Sequence, residues 1–370
     1  MSRPQHPLQT ATEDVVDATV LLTGVGAPGA AGILTGLDRS ALETAIVGVD
    51  VRDDAYGFAL VGESYTVPHG DDGRYLDRIR DIVAREEVDV VLPSTTAELG
   101  PLSEVKAEFA DRGVEVMVSD PDVLSVANDK GRLYGFLADR GFGAAPDFER
   151  VDDRERFVAA AERLGYPDRP VCIKQPVGSG MRGLRILDPT VDRYELLVEE
   201  KPGNAVTSLE EVLPVLEEAP TFPEFVVMEY LPGPEYSVDV VATDDDVPAV
   251  VPRSRARTRA GISFAGTVER NEELIECARS IVSALDLEYN VNLQFRYDED
   301  GSPKVIEINP RVSGTIVMCI GAGANMPAMG LRHALGLPID EPDVAWGTSM
   351  QRFWQEVFET PNGRTFTLEE

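Results

Sequence analysis

Lysine is scarce in this chain: only Lys106, Lys130, Lys174, Lys201 and Lys304 occur, and arginine supplies the rest of the 34 basic residues. Cysteine is scarcer still. Cys172, Cys277 and Cys319 are odd in number, far apart and set in apolar runs, which excludes a disulfide framework or a zinc site and predicts buried, reduced thiols. Positive charge is in deficit, and a nucleic-acid partner is excluded because phosphate binding needs a basic footprint. No stretch reaches the roughly 18 consecutive apolar residues of a membrane-spanning helix. Segment 1–17 has neither an apolar core nor a cleavage pattern. It reads as a flexible N-terminal tail, and the chain as a soluble, cytoplasmic protein with no membrane partner.

What is abundant is acid: 65 acidic residues give a formal net charge of -31. At ordinary ionic strength so much like charge repels itself, whereas in molar salt the Debye length shrinks to about 3 Å and the repulsion is screened. The composition is that of a halophile's protein. An acidic disordered chain is the competing reading, opposed by regular apolar strands and by 32 glycines at turn positions.

With 370 residues and 43% hydrophobic composition, two or three domains are expected. From Ala18 to Val118, apolar bursts (ATVLLTGVG, AIVGVD, VDVVLP, VEVMVS) alternate with amphipathic stretches at Tyr75 to Arg85 and Glu98 to Arg112. That alternation predicts βαβ units and a parallel sheet. The texture changes at NDKGRLYGFLADRG, where a helix capped near Asn128 ends on Gly141. From Phe225 longer strands follow (FVVMEY, EYSVDVVA, PAVVPR, VNLQFRY, KVIEIN), with Asp298 to Gly301 as a hairpin turn and helices at Asn271 to Leu285 and Met326 to Leu335 covering an antiparallel sheet. A last strand is expected at Met350 to Phe358. The fold class is therefore α/β followed by α+β, divided as tail 1–17, parallel-sheet domain 18–127, two further lobes 128–228 and 229–345, and an extension 346–370.

Four segments carry candidate chemistry. The first strand runs into Gly24-Val25-Gly26-Ala27-Pro28-Gly29, formally GxGxxG, and a second strand ends on Asp50, where a dinucleotide site would keep a ribose-binding acid. The spacing is long and Pro28 removes an amide, so a tight structural turn competes with an NAD-binding reading. The second segment is a strand delivering Lys174, a glycine-rich loop with Gly178, Ser179, Gly180 and Gly183, and a new strand from Leu184. It is no P-loop, since no GK[ST] follows, but its amides can fold over phosphates while the lysine supplies fixed charge; a plain hairpin is the alternative. Retention of Lys174 and Lys130 in a lysine-poor chain favours the former. The third, Met228 to Asp239, is a strand, a proline-glycine break and a strand, leaving main-chain groups free for an adenine edge. In the fourth, Glu307 and Asn309 alternate with Ile306 and Ile308, and Gln294 lies across the hairpin. These are three hard oxygen ligands suited to Mg²⁺, with Arg311 charged for a transferring phosphoryl group.

In this order the segments resemble the ATP-grasp superfamily, especially the synthetase domain of the carbamoyl-phosphate synthase large subunit, from about Val20 to Leu337. The resemblance implies a Rossmann-like preATP-grasp domain with no nucleotide in its glycine turn, followed by a two-lobed ATP-grasp domain. It implies Lys130 and Lys174 at the phosphates with the loop Gly178 to Gly183 above them, Glu229, Tyr230 and Leu231 as the adenine hinge, and Glu235 at the ribose. By the same likeness Gln294, Glu307 and Asn309 hold Mg²⁺, or Mn²⁺ in its place, beside Arg311. The stretch Asp188 to Thr207 is longer than the family's usual connection. Arg253, Arg255, Arg257 and Arg259, alternating on or after a strand, face an anionic substrate on one reading and reflect arginine-for-lysine exchange on another; Arg255, Arg257 and Ser313 are the substrate-binding candidates.

The expectation is an ADP-forming ligase that uses ATP to convert a carboxylate into an acyl phosphate and joins it to an amine, both small molecules, with Lys174 and Arg311 as catalytic groups and a homodimer left open. Activation of bicarbonate or carbamate, a non-catalytic ATP sensor and an NAD-binding enzyme are the alternatives.

Overall fold

The computed structural model describes residues 17–178, 183–199, 205–259, 261–353, 356, 358–361 and 365–366. All of the expected tail except Asp17 lies outside the described residues.

Strands β1 (Asp17–Thr23), β2 (Glu43–Asp50), β3 (Glu63–Thr66), β4 (Val90–Leu92) and β5 (Glu115–Val116) form a parallel sheet in the order β3-β2-β1-β4-β5. The helices that follow the first, third and fourth of these are α1 (Ala30–Asp38), α2 (Tyr75–Arg85) and α3 (Thr96–Ala110). Successive side chains of β1 point to opposite faces. Leu21 packs with Ile79 and Ile82 of α2 and Leu102 and Phe109 of α3. Val20 and Leu22 pack with Ile33 and Leu37 of α1.

Beyond α4 (Pro121–Ala127), α5 (Lys130–Asp139) begins where the Asp129 side chain accepts the Arg132 N–H, and Gly141 follows with φ +74°. Strands β6 (Phe148–Val151), β7 (Val171–Lys174), β8 (Arg185–Leu187), β9 (Val206–Thr207) and β10 (Phe225–Glu229) make a second sheet, β6-β10-β7-β8-β9, with α6 (Arg154–Arg163) and α8 (Leu209–Glu217) contributing to its core. The long connection contains the exposed helix α7 (Arg193–Val198).

Strands β11 (Glu235–Ala242), β12 (Ala249–Ser254), β15 (Tyr289–Tyr297) and β16 (Pro303–Asn309) form an antiparallel sheet, β12-β11-β15-β16. Helix α9 (Glu272–Leu285) covers it with Leu274, Ala278, Ile281, Val282 and Leu285. The Asn271 side chain caps that helix by accepting the Leu274 N–H, and Glu272 and Glu273 complement the dipole of its first turn. Each fully buried aliphatic side chain on this face contributes about 1.5–3 kcal/mol. A smaller sheet joins β13 (Arg257–Arg259), β14 (Ile262–Thr267) and β17 (Ser349–Gln351). Helices α10 (Val317–Gly321) and α11 (Met326–Ala334) follow β16, and β18 (Phe358–Glu359) pairs with β19 (Thr365–Phe366).

The strand expected at Met350 to Phe358 is instead two short ones. After β17 the chain turns inward at Arg352, whose N–H donates to Phe264 O and whose Nη2 donates to Gly314 O at 2.8 Å. Residues 354, 355 and 357 lie outside the described residues. The parallel sheet is joined to the rest of the chain by packing: Val20 and Leu22 share one apolar cluster with Val251, Ile316, Cys319 and Met326. Lys106 of α3 adds ion pairs to Asp120 and Glu288, and Tyr289 Oη donates to Glu115 at 2.5 Å.

The parallel-sheet domain also touches the turn after β16 through Gly29, where an added Cβ would stand 2.9 Å from Gly314 Cα and 3.2 Å from Ser313 O. Gly29→Ala is therefore expected to destabilise the protein by about 1–3 kcal/mol through overpacking against backbone. Chemical denaturation checks this, and an unchanged midpoint would show that the contact yields without cost.

Candidate active site

The second and third sheets, with the loops after β1 and β4, enclose a cleft of about 480 Å³. The chain has nearly twice as many acids as bases, yet among the described residues this cleft is lined by six cationic side chains and three carboxylates. The cations are Lys130, Lys174, Arg253, Arg255, Arg296 and Arg311, and the carboxylates Glu229, Glu235 and Glu307. The inversion marks a site for anions.

One wall is the β15–β16 hairpin. Gln294 pairs with Glu307 and Asn292 with Asn309, but the next register step takes Phe295 to Val305. Ile306 is thus an extra residue, a bulge that bends the strand and frees its carbonyl from the ladder. That carbonyl accepts Tyr134 Oη at 2.7 Å and Lys174 Nζ at 3.4 Å. The sequence reading placed Ile306 with Ile308 away from the ligands; the bulge instead brings Ile306 to the cleft while Ile308 stays in the core. Glu307 Oε1 accepts Asn309 Nδ2 at 3.0 Å. Gln294, Glu307 and Asn309 offer one carboxylate and two amides. That set is incomplete by itself and fits a hard cation that takes the rest of its shell from phosphate and water oxygens. Among the described residues no group of three or more His, Cys, Asp and Glu side chains is placed to hold a metal.

The two lysines come from opposite directions. Lys130, at the start of α5, is buried and donates to Gly178 O at 3.3 Å, while its main-chain N–H donates to Pro176 O at 2.9 Å. Burial depresses its pKa, Lys174 adds to the depression and Glu307 opposes it. Both ammonium groups therefore rest on carbonyls that a phosphate oxygen can replace. Gly178 lines the cleft and Gly183 has φ +72°, a left-handed conformation suited to glycine. Ser179 and Gly180 lie outside the described residues.

At the hinge, Glu229 Oε1 accepts the Asp147 N–H at 2.8 Å, and burial raises the pKa of the Glu229 carboxyl. Tyr230 and Leu231 line the cleft, Arg296 lies 5.6 Å from the Tyr230 ring centroid, and the Leu231 N–H donates to no described acceptor. Met228, Cys172 and Ile186 add apolar walls. Glu235 is ion-paired with Arg255 Nε at 2.6 Å. Arg255 also donates to Ser237 Oγ and Gly261 O.

Arg257 does not reach the cleft. It is exposed on β13, and a register shift between Arg257 and Thr258 puts Thr258 on the lining instead. Simple alternation from Arg253 and Arg255 fails because β12 ends at Ser254 and a new strand begins. Arg253 goes further inward than expected: fully buried, it donates through Nε to Asp239 at 2.5 Å and through Nη2 to Ser313 Oγ at 2.9 Å. Asp239 also accepts Asn292 Nδ2 at 2.9 Å. Asp239 and Asn292 were not singled out from sequence, although the alternation Asn290-Asn292-Gln294 in VNLQF and its preceding residues was a usable signal. Arg311 touches Asn309 Oδ1, Val312 O and Thr96 Oγ1, and burial lowers its pKa.

Asp50 is not available to a ribose. Its carboxylate accepts the Gly26 N–H at 2.7 Å and the Arg52 N–H at 3.0 Å, closing the glycine turn on itself. Pro28 and Gly29 face the anion cleft from below.

Residues 221–356 match the family described as ATP-grasp in the biosynthetic pathway with Ter operon, and residues 20–117 match the PylC-like N-terminal domain. The carbamoyl phosphate synthase large chain of Methanobrevibacter smithii is 24% identical over 281 residues, 71% of this chain. The chain spans only 24% of that relative's length. Among solved structures, N5-carboxyaminoimidazole synthetase from Staphylococcus aureus complexed with ADP is similar with TM-score 0.68 and 15% identity, covering 92% of this chain and 83% of the other. The L-amino acid ligase of Bacillus licheniformis is similar with TM-score 0.60 and 16% identity, covering 89% and 76%. The chain thus carries the ATP-grasp fold, a PylC-like N-terminal domain followed by an ATP-grasp domain.

Proposed function

We propose that this protein is an ADP-forming ligase that activates a carboxylate with ATP and transfers the acyl group to an amine. The observation that carries the reading is the meeting, in one cleft, of two lysines resting on carbonyls with a Gln-Glu-Asn set beside the half-buried Arg311. In this reading the adenine takes the hinge at Glu229 to Leu231 and the ribose takes Glu235. Lys130 and Lys174 exchange their carbonyls for phosphate oxygens. Gln294, Glu307 and Asn309 would hold Mg²⁺, which neutralises phosphate charge when bound. A carboxylate oxygen attacks the γ-phosphorus in line and ADP leaves; the amine nitrogen then attacks the acyl carbon, and inorganic phosphate departs with the acyl oxygen. Arg311 stabilises the transferring group. Residues 18–127 serve as substrate platform, 128–228 and 229–345 as the two nucleotide lobes.

A second reading, activation of bicarbonate or carbamate, is favoured by the likeness to a carbamoyl phosphate synthase large chain and to an N5-carboxyaminoimidazole synthetase. The acidic composition supports a cytoplasm loaded with salt as the working medium.

The deciding experiment supplies MgATP, pooled acids and hydroxylamine in molar potassium chloride. ADP with a hydroxamate is expected; ADP driven by bicarbonate alone would select the second reading, and AMP would overturn the acyl phosphate. Glu307→Ala is expected to cut turnover at least about a hundredfold with an unchanged circular dichroism spectrum; unchanged ADP production would remove it from the metal set. Lys174→Ala should weaken ATP binding about ten- to a hundredfold, the value of a charge-assisted hydrogen bond, and equal affinity by calorimetry would place the lysine outside the phosphate site. Thermal unfolding should move to higher temperature as potassium chloride rises from 0.1 M towards about 1 M, where screening removes most self-repulsion; a flat or falling midpoint would contradict the halophile assignment.

A further inference from the structure

Beyond the phosphate lysines, a second cationic centre surrounds the Ser313-Gly314 turn. Arg253 reaches it from β12 and holds Ser313 Oγ through Nη2, while Arg352 reaches it from the segment after β17 and holds Gly314 O through Nη2. The two guanidiniums are close enough for the charge of Arg253 to bear on Arg352, whose pKa burial lowers first and Arg253 lowers further. Of the described carboxylates, only Asp239 is in ion-pair contact with either. Arg253 is buried, lines the cleft, and among the described residues leaves Nη1 without a hydrogen-bond partner. A buried guanidinium nitrogen left unpaired is costly unless a ligand completes it. Ser313 Oγ accepts from Arg253, which leaves its own hydroxyl hydrogen to donate, and Ser313 also lines the cleft.

The carboxylate to be phosphorylated belongs beside Glu307 and Arg311. The Ser313 centre follows two residues along the chain, so a substrate filling both must carry a second oxyanion. We infer that the acid activated by this protein is at least dianionic, with its non-reacting carboxylate or phosphate bound by Arg253 Nη1 and Ser313 Oγ. This rests on the ligase reading and names the class of its substrate. It also separates this chain from an enzyme of bicarbonate, which has no second anionic group to offer and would leave Nη1 unpaired.

The test uses the full chain saturated with MgATP in molar potassium chloride and titrates matched acids by calorimetry: succinate against butyrate, L-glutamate against L-norvaline, and O-phospho-L-serine against L-serine. MgATP binding is measured first, so that its absence counts against the ligase reading and not against the anion site. The expected result is that in at least one pair the dianionic member binds at least tenfold more tightly. The pair showing the preference distinguishes carboxylate from phosphate. Arg253→Lys, which keeps the charge beside Asp239 but loses the forked donors, should bring that preference below about twofold with MgATP affinity unchanged. If Arg253→Lys does not fold, Ser313→Ala carries the same comparison with an expected loss of at least threefold in preference. Equal or tighter binding of the monoanionic member in every pair, a preference that survives both substitutions, or binding of none of these acids to the MgATP-loaded protein overturns the inference.

Discussion

A sheet face that points inward yet carries charge sets the terms for the rest of this molecule. Asp239 on β11, Arg253 on β12, Asn292 and Gln294 on β15 and Glu307 and Asn309 on β16 occupy one side of a sheet whose other side packs on α9. Each of these groups loses water on folding and must find another partner. Asp239 answers part of the demand by serving Arg253, Asn292 and Cys319 together. Removing one member of such a buried pair leaves the other charge stranded, at a cost of about 3–5 kcal/mol. The remainder, Gln294, Glu307 and Nη1 of Arg253, is met only in part by the described residues. A face built this way is stable enough to fold and unsatisfied enough to bind.

The bulge at Ile306 connects this face to the opposite lobe. By freeing one carbonyl from the ladder it supplies an acceptor for both Tyr134, inside the core, and Lys174, at the end of β7. Lys130 is held in the same manner by Gly178. The two lysines of the cleft are thereby fixed in position by neutral partners, so their charge is not cancelled before an anion arrives. Elsewhere the protein spends arginine on carboxylates freely, as in Arg150 with Asp129 and Glu224. Within the cleft itself the same contrast holds between Arg253 and Arg255, which pair with Asp239 and Glu235, and the two lysines, which rest on carbonyls.

Much of this was legible because local patterns were unambiguous. The period of Tyr75 to Arg85, the helix from Asn271 to Leu285, the DEDG turn and the strand that carries Glu307 each depend on a few neighbouring residues, and the corresponding elements form where expected. What escaped depends on residues far apart in sequence. Nothing in the run Arg253 to Arg259 shows that β12 ends at Ser254 or that the β13–β14 ladder skips Phe264 between the partners of Arg257 and Thr258. Asp239 reads as an ordinary strand residue until Arg253 and Asn292 are set beside it. The contact of Gly29 with Gly314 and the core shared by Val20 with Met326 likewise join segments 285 and 306 residues apart, beyond the reach of any periodicity.

The central claim is that an oxygen of the substrate acid passes to the γ-phosphorus of ATP. The most direct measurement is the fate of oxygen-18 placed in the acid's carboxylate, followed by phosphorus NMR of the inorganic phosphate released in the presence of the amine. One labelled oxygen in the phosphate, with ADP as the other nucleotide product, is the predicted result. Unlabelled phosphate, or label found in AMP, would contradict the account.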